Sequence, residues 1–335
     1  MSPSSRVTVV GSVAVPNSLE TFYLRAFYYL GWQPRGIDAL RVLRVLPRGA
    51  LYLSQSFSRV TWRATLKRIR RHAERSDLVL FVKAKELVSH PAAVKSIVDS
   101  ISIPCALIAP DALSTFMSPD SVALWCEQGG TIFSFAAEAE SSRYGVSKGI
   151  VALNFAYDPA VHFRPIDGHN QTREAVLFVG TWDPEREATV RRLSSCFQVN
   201  VLGPGWLRAR DPGKARIVGG VVADASAHRQ LVAEHAVTLN LLRAQNLGSQ
   251  NMRVYETPAQ GGYSATYPAP APPSGYGISS SSIDGLVSQI ETFISRPRSE
   301  KLVLVSDCQQ AVIGETYATR AIQILRQTQG IGPEV

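Results

Sequence analysis

The sequence predicts an α/β protein made of two doubly wound, Rossmann-like halves. Three observations predict it. Short apolar runs alternate with helical segments along most of the chain, as in parallel sheets covered by helices. The alternation stops at a proline-punctuated, polar stretch near residues 154–173 and then restarts. The 335 residues suffice for two domains of ordinary size, and their 45% apolar content is that of globular chains. Open parallel sheets take ligands at their strand carboxyl ends, so two halves facing a central cleft are expected to meet a ligand there.

The first half reads in order as follows. Residues 7–10 form a strand ended by Gly11, and Pro16-Asn17-Ser18 leads into a helix over 19–30 with Gly31 at its end. A second strand is expected near 32–37, while 41–50 is ambiguous. A basic helix precedes the buried strand 77–82. Residues 92–100 are helical, 103–109 a strand, and Pro110-Asp111 follow at its carboxyl end. Ser118-Pro119-Asp120 starts a helix with proline at its first position. A strand over 130–135, a short helix over 138–144 and a strand over 150–153 complete the half.

The second half opens with a strand over 175–179, turned by Gly180-Thr181, and a helix capped by Asp183 with Pro184 behind it. A strand over 197–202 ends in Gly203-Pro204-Gly205-Trp206, and Asp224 starts a helix to His235. The strand 237–242 and a polar loop then lead to Asn251-Met252-Arg253-Val254-Tyr255-Glu256-Thr257-Pro258-Ala259-Gln260-Gly261-Gly262-Tyr263. Arg253 and Glu256 are three apart and share a helix face. Gly261-Gly262 ends that helix and permits close backbone approach. An arginine can fork onto phosphate and a carboxylate can hold adjacent hydroxyls, so this is a candidate phosphate-and-sugar site. The competing reading is an Arg–Glu pair that pins a helix to its neighbours. A strand over 263–267 follows, then loop-like segments at 268–273 and 279–282, and helices over 283–294, 297–313 and 316–328.

Composition narrows the functional classes. No apolar run reaches the roughly eighteen residues of a membrane span. No apolar leader precedes the first strand, and the four cysteines are scattered, which fits a reducing cytoplasm. No Cys/His spacing suggests a metal. The net charge is +8, and much of it lies between Arg59 and Arg75. That helix is either a solvated basic face packed through Trp62, Leu66 and Ile69 or a peripheral contact with anionic lipid or substrate. Nucleic acid is not expected, because aromatic residues do not interleave with the basic ones. GxGxxG, Walker A and GxSxG motifs are missing, so dehydrogenase, triphosphatase and hydrolase readings lack support.

Four segments in order carry a family resemblance: Asn154-Phe-Ala-Tyr-Asp-Pro-Ala-Val-His-Phe-Arg-Pro165, Phe178-Val-Gly-Thr-Trp-Asp183 with Arg186, Met252-Arg-Val-Tyr-Glu-Thr-Pro-Ala-Gln-Gly-Gly262, and Glu315-Thr-Tyr-Ala-Thr-Arg320. From about residue 150 onward the chain resembles the CgeB-like, spore-maturation type bacterial glycosyltransferases, which have the GT-B architecture. The resemblance implies an acceptor-side domain over 1–165, a donor domain over 166–320 and a terminal helix or tail over 321–335. It implies transfer from a UDP-, GDP- or TDP-linked sugar to an unidentified acceptor, without a metal and without a further cofactor. By position, Gly180 with Thr181 would lie beside sugar and phosphates, Arg253 would face the diphosphate, and Glu256 would hold the ribose. Gly261 and Gly262 would turn beside them, and Gly203 with Gly205 would lie near the base. The chain departs from the family between Tyr267 and Ser282, where proline and serine replace an acidic segment, and Glu315 replaces a histidine.

Single residues keep two readings each. Asp111 is the candidate general base for the acceptor, or a turn cap. Glu20 and His72 are weaker candidates of the same kind. His162, in the linker motif, is expected to make an interdomain hydrogen bond rather than to act in catalysis, and Trp182 and Trp206 either stack on a ligand or pack. Gly11 is a turn glycine that also lies where a phosphate could approach. Three function classes follow: a cytoplasmic or membrane-associated glycosyltransferase, a catalytically silent GT-B-like nucleotide or partner binder, and a nucleotide-sugar epimerase that lacks a visible acid/base set.

Overall fold

The computed structural model describes residues 5–39, 55–115, 117–220, 224–243, 251–269 and 275–330, without the side chains of 55–62 and 86. The ambiguous stretch 41–50 and the loop residues 270–273 lie outside the described residues, as do the side chains of Arg59 and Trp62. The chain divides into two compact units, Met1–Asn154 with Tyr317–Val335, and Phe155–Thr316.

The first unit holds strands β1 (Arg6–Gly11), β2 (Gln33–Asp38), β3 (Leu78–Val82), β4 (Cys105–Ala109), β5 (Thr131–Ser134) and β6 (Ile150–Ala152). They form one parallel sheet in the order β2-β1-β3-β4-β5-β6. All five residues of β3 are buried, as expected of a central parallel strand covered on both faces. Helices α1 (Leu19–Tyr29), α2 (Gln55–Ala73), α3 (Lys85–Val88), α4 (Pro91–Val98), α5 (Pro119–Glu127) and α6 (Ala137–Tyr144) flank it. Ser18 caps α1 by accepting from the Thr21 N–H, and Ser118 caps α5 ahead of Pro119. One face buries Val10, Leu66, Ile69, Val79, Phe81 and Trp125 together. Each such side chain contributes about 1.5–3 kcal/mol on burial, and the Phe81 and Trp125 rings meet edge to face at 5.4 Å.

The second unit begins with the short helix α7 (Pro159–His162) and repeats the plan. Its strands are β7 (Arg173–Val179), β8 (Val199–Leu202), β9 (Arg216–Gly219), β10 (His235–Leu241), β11 (Ser264–Tyr267) and β12 (Ile278–Ser279). The parallel order is β12-β11-β10-β7-β8-β9. Helices are α8 (Pro184–Ser194), α9 (Ala225–Glu234), α10 (Arg253–Ala259), α11 (Ile283–Ile294) and α12 (Arg298–Val312). The order reverses between β7 and β10, so the loops leaving these strands diverge and open a crevice at their carboxyl ends. Two strands escaped the sequence reading. β9 is an edge strand with mostly exposed residues and no apolar run, and β12 is two residues long in a stretch expected to be loop.

The last helix, α13 (Tyr317–Gln329), belongs to the first unit. Its Tyr317 ring stacks on Phe22 and meets the edge of Tyr23, each at 5.2 Å. Gln329 donates from Nε2 to the Asp77 carbonyl at 2.8 Å.

Candidate functional site

The turns after β7 and β8 are stitched together. Gly180 donates its N–H to the Leu202 carbonyl at 2.9 Å, and Trp182 donates to the Pro204 carbonyl at 2.9 Å. Gly203 has φ +142°, and a Cβ there would lie 2.0 Å from the Gly180 oxygen. Only glycine fits. Trp206, 1% exposed, donates from its indole to the Gly180 carbonyl at 2.8 Å, so it holds this turn from beneath. The structure thus brings Gly180 and Gly203 together at the end of β7, with Thr181 exposed beside them.

Arg186 then spans the reversal point. Asp183 caps α8 by accepting the Arg186 N–H at 2.9 Å, which faces that side chain back toward the turn. Its Nη1 donates to the Thr181 carbonyl at 3.0 Å and its Nη2 to the Leu241 carbonyl at 2.8 Å. The guanidinium lies 5.6 Å from the centre of the Phe178 ring. Asp183 pairs with Arg186 at 3.5 Å and with Arg243 at 3.4 Å. Burial, and next the charge of Arg243, hold the Arg186 pKa below its ordinary value, with Arg253 adding to the effect and Asp183 opposing it. The charges of Arg243 and Arg253 thus both bear on the Arg186 guanidinium.

The helix α10 starts from a polar relay. Asn251 accepts the Arg253 N–H at 3.1 Å and donates to Asn240 at 2.7 Å, and Asn240 donates to Thr266 across the sheet at 3.2 Å. Arg253 and Glu256 share a face as the spacing predicts, 3.5 Å apart, with Arg253 about one-third exposed and Glu256 buried. Glu256 also meets His162 Nε2 at 3.3 Å. The Asp158 N–H donates to His162 Nδ1 at 3.0 Å, so in the neutral ring the proton sits on Nε2 and points at the carboxylate. Asp158 caps α7 by accepting the Ala160 N–H. His162, expected to bond between the domains, meets Glu256 inside the one unit Phe155–Thr316, and that partner is the candidate site's own acid. On the other side His228 approaches Arg253 at 3.4 Å. Burial first, and the Arg253 charge second, hold His228 down at about 4. It is neutral at pH 7.

Gly261 and Gly262 end α10. A Cβ on Gly261, at φ +72°, would lie 2.6 Å from Asn170 Nδ2, and one on Gly262 would lie 2.5 Å from Val232. Packing against the chain itself requires both glycines. Trp182 is half-buried and donates from its indole to Glu187 at 2.7 Å. With Pro184, Ala188, Arg191 and Arg210 it lines a cavity of about 430 Å³. Asp111 belongs to the first unit, past the end of β4, and is half-buried. Among the described residues, no three His, Cys, Asp or Glu side chains gather as a metal cluster. Arg243, His228 and Asn240 were missed by sequence reasoning. Arg243 had a usable signal, since it stands two residues past the end of a strand bordering the reversal point.

Residues 185–326 match the family model described as glycosyl transferase-like. No curated protein sequence matches the chain. Solved structures do. A UDP-forming α,α-trehalose-phosphate synthase from Burkholderia xenovorans is 12% identical with a TM-score of 0.64, covering 98% of this chain and 99% of its own. An E. coli trehalose-6-phosphate structure bound with UDP-2-fluoro glucose is 10% identical with a TM-score of 0.63, covering 98% and 100%. An α-glucosyltransferase in complex with UDP and a DNA 13-mer is 10% identical with a TM-score of 0.60, covering 93% and 96%. At such identities the likeness is one of fold. The chain has the GT-B fold, and the glycosyl transferase-like model matches its second half in part.

Proposed function

We propose that this chain is a glycosyltransferase whose second unit holds a nucleoside-diphosphate sugar. The carrying observation is the group of Arg186, Arg243 and Arg253 near the reversal point. There, among the described carboxylates, Asp183 alone sits 3.5 Å from Arg186 and 3.4 Å from Arg243, and, after burial, the charges of Arg243 and Arg253 lower the Arg186 pKa. A diphosphate offsets those charges and accepts charge-assisted hydrogen bonds from guanidinium groups. The same charges stabilise the diphosphate as it leaves, so no metal is required for that purpose. Glu256, oriented by His162, takes the ribose hydroxyls, and the turn at Gly203 and Gly205 borders the base. Gly261 and Gly262 serve by closing the helix that presents Arg253 and Glu256. The solved structures with UDP favour a uridine nucleotide among the UDP-, GDP- and TDP-linked donors.

In the transfer, an acceptor hydroxyl oxygen bonds to the anomeric carbon while the bond from that carbon to the diphosphate oxygen breaks. The electron pair goes to the diphosphate, and the hydroxyl proton goes to a general base, which we assign to Asp111. The finer placement among CgeB-like enzymes rests on the four sequence segments, and a cytoplasmic site of action on the scattered cysteines, all of them free. No described helix is long and apolar enough to cross a membrane.

The test is to incubate the chain with UDP-, GDP- and TDP-linked sugars and a panel of glycan, lipid and metabolite acceptors. Release of nucleoside diphosphate that depends on an acceptor supports the reading. A second reading, a silent nucleotide binder, is favoured by the acid-free run from Tyr267 to Ser282. It predicts binding of a nucleotide with no release.

A further inference from the structure

The basic helix α2 buries Leu66, Ile69 and Ala73 in the core of the first unit. Among its described side chains the large apolar ones are thus occupied, and the exposed ones are mostly charged. Between Arg63 and Arg75 the chain places six arginine or lysine residues and one acid, Glu74. Lys67 and Arg71 are exposed and four apart on α2, and the exposed Arg75 follows in the turn just past the helix end at Ala73, so the three form one stripe of exposed cations. Arg35, exposed on the edge strand β2, and Arg68 join it, since their charges and those of Arg71 and Arg75 all reach His72. Arg70 turns aside to donate to the Ser96 carbonyl at 3.3 Å. No carboxylate pairs with Arg35, Lys67, Arg68, Arg71 or Arg75 among the described residues. The nearby Asp77 accepts the Arg6 N–H instead. Like charges four apart destabilise a helix on its own, and Lys67 and Arg71 make such a step.

We propose that this stripe docks the first unit on an anionic lipid surface, by electrostatic contact and without insertion. Among the described side chains of α2 the large apolar ones, Leu66 and Ile69, are buried, and the exposed cations match the phosphates of a lipid surface. Between Arg63 and Arg75 no Phe, Tyr or Trp offers the stacking platform that a single-stranded nucleic acid uses. The surface lies in the first unit, and the inference does not depend on the donor reading.

The experiment is co-sedimentation of the full chain with vesicles of phosphatidylcholine alone or mixed with phosphatidylglycerol. Binding is expected only to the mixed vesicles and should fall as salt rises. The K67E/R71E/R75E variant should bind roughly a hundredfold more weakly. Unfolding midpoints check that it folds, and K67Q/R71Q/R75Q replaces it if it does not. Equal binding to both vesicles would overturn the proposal. So would a variant that binds like the wild type, or a chain that prefers duplex DNA to the mixed vesicles at the same salt.

Discussion

The two sheets reverse their strand order in surroundings of opposite charge. In the second unit, the reversal between β7 and β10 gathers Arg186, Arg243 and Arg253 around turn glycines. In the first, the reversal between β1 and β3 carries a buried acid. Glu20, 1% exposed, accepts the Ser12 N–H at 3.1 Å. Its side chain fills the space over Gly11, where a Cβ would lie 2.7 Å from Glu20 Cγ. A phosphate approaching Gly11, which the sequence had left open, would meet this carboxylate. The same topology thus presents positive charge in one unit and a self-satisfied loop in the other.

The largest effect should come from the turns. Gly203→Ala sets a methyl against the backbone oxygen of Gly180 at a φ that side chains rarely adopt. It should cost about 4 kcal/mol or more of unfolding free energy. Gly11→Ala meets the Val82 carbonyl and a movable Glu20 side chain, and should cost about half as much. Equal losses in denaturant titrations would erase the distinction between the two turns.

Acid should act mainly through the second unit. His228 is held at about 4 in the folded chain, against about 6.5 unfolded. The unfolded chain therefore binds the extra proton first as pH falls. Stability is complete above about pH 6.5 and declines toward pH 4, by roughly 3 kcal/mol from this residue. His235, also lowered by burial, falls in the same direction. His228→Asn should flatten the decline in unfolding curves taken across that window. An unchanged slope would remove His228 as its cause.

Glu20→Gln keeps an acceptor for the Ser12 N–H and removes the charge. It should cost about 1 kcal/mol and leave nucleotide affinity unaltered. A gain or loss of nucleotide binding would show that the first reversal point also serves the donor. The smallest effect concerns Ala84, which follows β3 at φ +31°. Ala84→Gly relieves that strain at an entropic cost and should stabilise by less than about 1 kcal/mol in thermal unfolding.

Much of this contrast was legible in the sequence and some was not. The strand–helix alternation, the caps at Ser18, Ser118, Asp183 and Asp224, and the pairing of Arg253 with Glu256 are local, and local patterns showed them. Arg243 meets Asp183 because β10 lies beside β7, Asn240 meets Thr266 because β10 also lies beside β11, and His228 meets Arg253 across two helices, and no spacing along the chain states such neighbour relations. Glu20 read only as a weaker candidate base, because its burial under the loop that bonds it is not a local pattern. The place of α13 in the first unit was hidden for the same reason. Its apolar face was visible, but the surface it covers was not.

The central claim is that the arginine group receives a nucleoside diphosphate. The most direct test is calorimetric titration of UDP, GDP and TDP into the wild type and Arg253→Ala, with thermal unfolding as a check on the fold. One diphosphate should bind, and the variant should lose about tenfold to a hundredfold in affinity while unfolding near the wild-type midpoint. A folded variant that binds the same diphosphate as tightly as the wild type would contradict the account.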